Sequence, residues 1–384
     1  MPPTMRSRWK LAAGLLALVG CASEPPPRRP PATVESRHES PKTERLQQIL
    51  RQAVIRHDVP GVQVAIRTAE GQWWRAAAGF ADRDRRRPLA VDDTFQIGSA
   101  TKLMTAVMVL RAVERGQLEL DDLLSRWYPA FPRADQITVR HLLGHRSGLG
   151  EVLRRPGVLL KSATAPHKVW DQEAVIRKMA RRRLEFAPGS RFGYSNTNYV
   201  VLGGILRKVT GKPSEVLFRD ELFVPLGMLA TWLPPGPSPV DRPHVEGIDH
   251  FMPAGPHWIE PGRTNWTTLA YTAGGVISRA EDLLRFYQAL FDGDLLSEAS
   301  RRELMRFRAS DQFPETEMTG YGLGLSEYKF GPYRALGHRG GIMGYDTTPL
   351  YCPDARAYVV VLSNHSKGDS KFGGAVFEAV MDLL

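Results

Sequence analysis

Cysteine is scarce in this 384-residue chain, with only Cys21 and Cys352 present. Two thiols so far apart make no disulfide framework, and no cluster of cysteine and histidine has metal-ligand spacing. Cys352 lies in the turn-like run Cys352-Pro353-Asp354 and reads as a bystander thiol. Long apolar runs are also missing. The run from Leu11 to Gly20 is about half of what a membrane-spanning helix needs, and no later segment is long and apolar enough to cross a bilayer. There is no internal repeat. Net charge is +10, yet no basic stripe interleaves with aromatics and no zinc-finger or RNA-binding signature occurs. That argues against a nucleic-acid partner. The surplus fits solubility or affinity for anionic envelope polymers. A hydrophobic share of 42% is ample for one large core or two subdomains.

The N-terminus reads as an address. Arg6, Arg8 and Lys10 precede the apolar run, which ends in Leu18-Val19-Gly20-Cys21. Basic flank, short apolar core and terminal cysteine resemble a bacterial lipoprotein signal over 1–20, cleaved before Cys21 and lipidated on its thiol. Ala22 in place of aspartate points to the outer rather than the inner membrane. The expectation is an exported, membrane-anchored protein facing the periplasm. Residues 21–43 carry Pro25, Pro26, Pro27, Pro30, Pro31 and Pro41. Such a segment is extended and semi-rigid, a linker between the anchor and a folded domain spanning 44–384.

Within that domain, Thr43 is placed to cap a helix with Leu46, Ile49, Leu50, Ala53 and Val54 on one face. Val62, Val64 and Ile66 alternate as a strand, and Gln72 to Phe80 returns as a second. A helix from Ser99 to Arg115 presents a stripe of Leu103, Val107 and Leu110. From about 117 to 265 helices and Pro/Gly-rich loops dominate, and 234–262 reads as irregular surface. Ser278 to Glu281 forms a capping box before another helix. Strands are expected at 321–328, 333–337, 345–351 and 357–362, and a terminal helix at 372–384. The resulting fold class is α/β (α+β): an antiparallel sheet built from both chain ends, flanked by helices, with a mainly helical inserted subdomain.

Three short motifs carry chemistry. Ser99-Ala100-Thr101-Lys102 is an S-x-x-K at a helix mouth, where residues three apart share a face. Lys102 can therefore reach the Ser99 hydroxyl, and the helix N-terminus favours negative charge there. Desolvation would make the lysine a base. The same pattern at Ser7–Lys10 lies in the signal segment. At Ser326–Lys329 it lies in a strand, where such residues face opposite ways. Tyr194-Ser195-Asn196 is the only Y-x-N, a loop tyrosine whose pKa a nearby lysine can lower. His338-Arg339-Gly340 is the only H-x-G, followed by Gly341. Paired glycines let a ligand approach the backbone. Each motif alone also fits an ordinary cap, packing tyrosine or turn.

Together and in this order they resemble the serine β-lactamase/penicillin-binding-protein superfamily. The likeness is greatest to class C β-lactamases, D,D-carboxypeptidases, D-aminopeptidases and family VIII carboxylesterases. His141 to Leu149 resembles the family's H-L-L-x-H-x-S-G-L segment, and Tyr271 to Ser278 its A-G-G-L-x-S stretch. The resemblance implies that Ser99 becomes acylated, that Lys102 and Tyr194 move its proton, and that Asn196 holds the substrate or the lysine. It places the Ser99 and Gly341 backbone N–H groups in an oxyanion hole, with His338 and Gly340 on the substrate-binding strand. No cofactor or metal is required. The implied substrate is a small ester, a D-amino-acid or peptidoglycan-derived peptide or, weakly, a β-lactam. His338-Arg339-Gly340 stands where class C enzymes carry K-T-G. Arg339 supplies a charge there only if its side chain turns toward the cleft. The competing class is a weak or inactive envelope-binding lipoprotein. No G-x-S-x-G occurs, which argues against an α/β-hydrolase.

Overall fold

A computed structural model describes residues 30–36, 41–153, 157–158, 164–236, 238–240, 245–249, 257–259, 265–309, 317–366 and 371–384. Cys21 and the rest of the signal segment lie outside these residues.

The principal sheet has ten strands: β1 (Ala32–Ser36), β2 (Gly61–Arg67), β3 (Trp73–Gly79), β4 (Arg308–Ala309), β5 (Met318–Tyr321), β6 (Ser326–Phe330), β7 (Tyr333–Gly337), β8 (Gly340–Ile342), β9 (Tyr345–Cys352) and β10 (Ala357–Ser363). Their spatial order is β1-β3-β2-β10-β9-β7-β6-β5-β4, with β8 paired to β9. The described pairings in this sheet are antiparallel. Both chain ends thus build one sheet: β2 from the N-terminal part lies against β10, with Val64 opposite Val361.

The central strands are buried on both faces. On one side, α1 (Pro41–Arg56) and the C-terminal helix Lys371–Met381 cover Val62, Val64, Val359 and Val361. On the other, Ala65, Val360 and Leu362 join the larger core of the helical half. This two-sided burial is why 357–362 is an unbroken apolar run rather than an alternating one.

α2 (Thr101–Glu114) crosses the middle of the molecule. Its residues from Thr101 to Leu110 are all buried, so the expected single stripe is too narrow. A helix apolar all round belongs in an interior. α3 (Val139–Leu143) and α4 (Gln172–Ala180) pack on α5 (Asn196–Thr210), which packs on α2. Further on, α6 (Ala280–Phe291) packs on the sheet. No helix among the described residues is long and apolar enough to cross a membrane.

Four local expectations need correction. Residues 32–36 belong to the folded domain, not the linker: Thr33 pairs with Ala77, and Glu35 bonds Arg75 at 2.7 Å. An edge strand is stabilised by its partner, which a proline-rich flank hides in the sequence. The span 321–328 is two strands, because Gly324 turns the chain with φ +83°. The stretch 234–262 is not irregular throughout, since Gly247–Asp249 pairs with His257–Ile259 and with His365–Ser366. Ser278 does not cap α6. Its hydroxyl pairs with Thr231, and the Ala280 N–H donates instead to Gln63 Oε1 at 2.7 Å. A residue on β2, distant in sequence, supplies the cap.

Candidate active site

Ser99 sits in a 3-10 turn, Gly98–Ala100, that runs straight into α2. Gly98 has φ +51°, a left-handed conformation that favours glycine. A Cβ there would also lie 2.8 Å from the Gly341 carbonyl. The serine turn and strand β8 are therefore in backbone contact. Gly340 has the same constraint from the other side, since its Cβ would meet the Ile97 carbonyl at 2.0 Å and Ser99 N at 3.0 Å. Gly341 differs, because a Cβ there meets nothing within 4 Å and so faces open space.

Four predicted residues converge on one point. Lys102 Nζ lies 2.9 Å from Ser99 Oγ, one helical turn away. The Tyr194 hydroxyl donates to the same Oγ at 2.9 Å. Asn196, the first residue of α5, accepts from Lys102 through Oδ1 at 2.6 Å. The Ala273 carbonyl accepts from Lys102 at 2.6 Å. Thr105 bonds the Thr272 carbonyl at 2.6 Å, and Thr101 accepts from Val276 N–H, so α2 itself holds the loop bearing Ala273.

Lys102 has no exposed surface. Burial disfavours the ammonium and lowers its pKa from 10.5 to about 7, while Glu151 opposes the shift. The Asn196 Oδ1 and Ala273 carbonyl can only accept, so they take two N–H groups of a neutral amine. The third position, toward Ser99, is left for the nitrogen lone pair. A lone pair so placed can take a proton from that hydroxyl. Tyr194 behaves otherwise than expected. Burial pushes its phenol well above 10, the hydrogen bond to Ser99 only partly offsetting this. It stays protonated and donates, because desolvation outweighs any help to its anion.

This constellation joins the helical half to the sheet, and it decides what the chain resembles. A family model named Beta-lactamase matches residues 46–379. The chain belongs to the Beta-lactamase family. Esterase EstB of Burkholderia gladioli is 32% identical over 73% of this chain and 78% of that protein. Penicillin-binding protein 4* of Bacillus subtilis is 28% identical over 89% of this chain and 76% of its own. Among solved structures, D-amino acid amidase from Ochrobactrum anthropi SV3 with bound D-phenylalanine superposes with a TM-score of 0.78. It is 27% identical, with 89% of this chain and 99% of that one covered. The named relatives of this Beta-lactamase member thus include an esterase, a penicillin-binding protein and a D-amino acid amidase, the last sharing its mixed α/β fold.

The H-x-G strand departs from expectation. His338 is 3% exposed, with its ring 6.3 Å from that of Tyr194. Its Nδ1 lies 2.8 Å from the Arg339 carbonyl, so that nitrogen carries the proton, and Nε2 accepts from the Tyr321 hydroxyl at 3.1 Å. Burial and the nearby Lys102 lower its pKa to about 3. It is a neutral, buried imidazole next to Tyr194. Arg339 turns away and pairs with Glu317 at 2.9 Å.

Sequence reasoning missed Glu151, which accepts from both N–H and side-chain amide of Asn196 at 2.9 and 3.1 Å. It fixes the amide so that Oδ1 faces Lys102. Nothing in the sequence marks it, since it only follows the Ser147-Gly148-Leu149 turn. The Ala273 carbonyl was equally invisible, being backbone.

Proposed function

We propose that this protein is a serine acyl hydrolase that turns over through an acyl-enzyme on Ser99. The observation that carries the reading is one hydroxyl, Ser99 Oγ, held at 2.9 Å by a desolvated lysine and at 2.9 Å by a protonated tyrosine. Neutral Lys102 takes the serine proton as Oγ attacks a carbonyl carbon. The backbone N–H groups of Ser99 and Gly341 receive the negative oxygen, each such donor lowering the barrier by about 3–4 kcal/mol. The Tyr194 phenol then gives its proton to the leaving group as the bond to the carbonyl carbon breaks, and the proton held by Lys102 restores the phenol. Water then attacks the acyl-enzyme by the reverse route and frees the acid.

The substrate class we infer is a small ester or a D-amino-acid amide or peptide. The esterase and D-amino acid amidase relatives support it. β-Lactam hydrolysis should be weak, because Arg339 is committed to Glu317 and His338 is buried and neutral. The test is a panel of p-nitrophenyl esters, D-amino-acid amides, D-Ala-D-Ala peptides and nitrocefin on wild type and Ser99→Ala. Wild type should cleave esters or D-amides, and Ser99→Ala neither. Equal turnover by both would refute the nucleophile. We also propose export and anchoring through Cys21, with Cys21→Ser expected to leave the membrane fraction. Retention there would count against lipidation.

A further inference from the structure

Tyr194 is held from three directions by one residue. The His145 carbonyl accepts from the Gly193 N–H at 2.8 Å. His145 Nδ1 accepts from the Ser195 N–H at 3.2 Å. Its ring lies against the Tyr194 ring, with centroids 4.2 Å apart and planes tilted by 33°. Both chain neighbours of the tyrosine and the tyrosine itself are gripped.

The imidazole is set in one tautomer. A backbone N–H only donates, so Nδ1 must carry the lone pair and Nε2 the proton. Asn198 reinforces this by pointing its Nδ2 at Nδ1, 3.0 Å away. Its amide is oriented in turn by the Ser147 hydroxyl, which donates to Asn198 Oδ1 at 2.5 Å. His145, Ser147 and Asn198 have no exposed surface. Two costs fall on His145 itself. It has φ +54°, the left-handed region, which is uncommon for histidine. Its Nε2 is buried without a hydrogen-bond partner, among the rings of Tyr199 and Tyr321 at 5.2 and 5.1 Å. A phenylalanine would fill the same space with no orphaned donor, so packing does not account for the histidine. What a phenylalanine lacks is the acceptor for Ser195. Residues under strain concentrate where a site must be held in one geometry.

We propose that His145 is the positioning residue of Tyr194, a neutral imidazole that fixes the phenol hydroxyl over Ser99. This rests on the reading of Tyr194 as the proton relay of an acyl hydrolase. Burial and the charge of Lys102 keep His145 well below its ordinary pKa, so it does not compete with Lys102 as base.

A cycle with Tyr194→Phe tests it. kcat and KM for a p-nitrophenyl ester, and the rate of Ser99 labelling by a fluorophosphonate, are measured for wild type, His145→Asn, Tyr194→Phe and the double variant. Asparagine tolerates the left-handed backbone, so the fold is expected to survive, which a melting curve checks. A displacement of about 1 Å at a reacting group costs up to about 100-fold. His145→Asn should therefore lower kcat and labelling roughly 10- to 100-fold with KM nearly unchanged. In the Tyr194→Phe background it should cost less than about 3-fold, since both act through one group. An equal loss in both backgrounds overturns the proposal, as does an undiminished rate in the single variant. If His145→Asn does not fold, His145→Phe keeps the ring and removes only the acceptor, and the same cycle is read. A crystal structure of either variant is independent of turnover: Tyr194 should leave its hydrogen bond to Ser99, and an unmoved phenol refutes the role. Failure of the hydrolase reading looks different. Wild type and Ser99→Ala would then cleave the ester equally, while the crystal structure still decides His145.

Discussion

Raising the pH through neutrality should switch the Ser99 hydroxyl on. An ordinary lysine is neutral in roughly one molecule in 3,000 at pH 7. With its pKa lowered by burial to about 7, Lys102 is neutral in about half. The same burial thus raises the supply of base by about a thousandfold. Between pH 5.5 and 8.5 the neutral fraction climbs from about 3% to about 97%, roughly 30-fold. The assay is the second-order rate of fluorophosphonate labelling across this range, with intact mass locating one adduct per chain. Other titratable groups near the serine stay out of the window. His338 is lowered to about 3, His145 lies well below 6.5 and Tyr194 well above 10. The negative charge of Glu151 raises the Lys102 pKa, so Glu151→Gln should move the ascending limb to lower pH. A flat profile from pH 5.5 to 8.5 would show that Lys102 is not the base, and a rate still rising about tenfold per pH unit at 8.5 would show that burial does not lower its pKa.

Three further outcomes follow from local geometry. Gly340→Ala drives a methyl into the Ile97 carbonyl at 2.0 Å and Ala100 N at 2.8 Å. It should cost at least about 1–3 kcal/mol of stability and most Ser99 labelling. Its neighbour should behave in the opposite way: Gly341→Ala meets nothing within 4 Å, so stability should hold within about 0.5 kcal/mol, any effect falling on kcat/KM for bulky acyl groups. Denaturant midpoints and labelling rates on both variants check the contrast, and equal destabilisation would refute the packing of β8 on the serine turn. Gln63→Leu strands the Ala280 N–H and the carbonyls of Ala90 and Asp93, all bonded to a side chain only 1% exposed. A loss of about 3 kcal/mol or more is expected in urea unfolding, and a loss below about 1 kcal/mol would deny Gln63 its capping role.

The relation between Ser99 and Lys102 was legible because it is local. Three residues on a helix fix which side chains meet, whatever surrounds them. β7 was equally legible, its limits at 333 and 337 set by a glycine-proline turn before it and a glycine at its end. Gln63 shows where such reading stops. It is an alternating strand residue by pattern, yet it caps a helix more than two hundred positions further on. The capping box read at Ser278 failed for the same reason, a local hydroxyl losing to a better acceptor brought in by the fold.

Motif order carried the resemblance to the family and, through it, the expectation that Ser99, Lys102, Tyr194 and Asn196 share one site, while strand and helix patterns along the chain pointed to a sheet made from both ends. Those signals are carried by neighbours in the chain or by patterns along it. Only the tertiary structure decided the state of the site. It turned Arg339 toward Glu317, buried His338 beside Tyr194, set Glu151 on Asn196, kept the tyrosine protonated and weakened the lysine's hold on its proton. Each of these depends on how completely a group is removed from water and on which distant atom faces it, and desolvation has no signature in a linear string of residues.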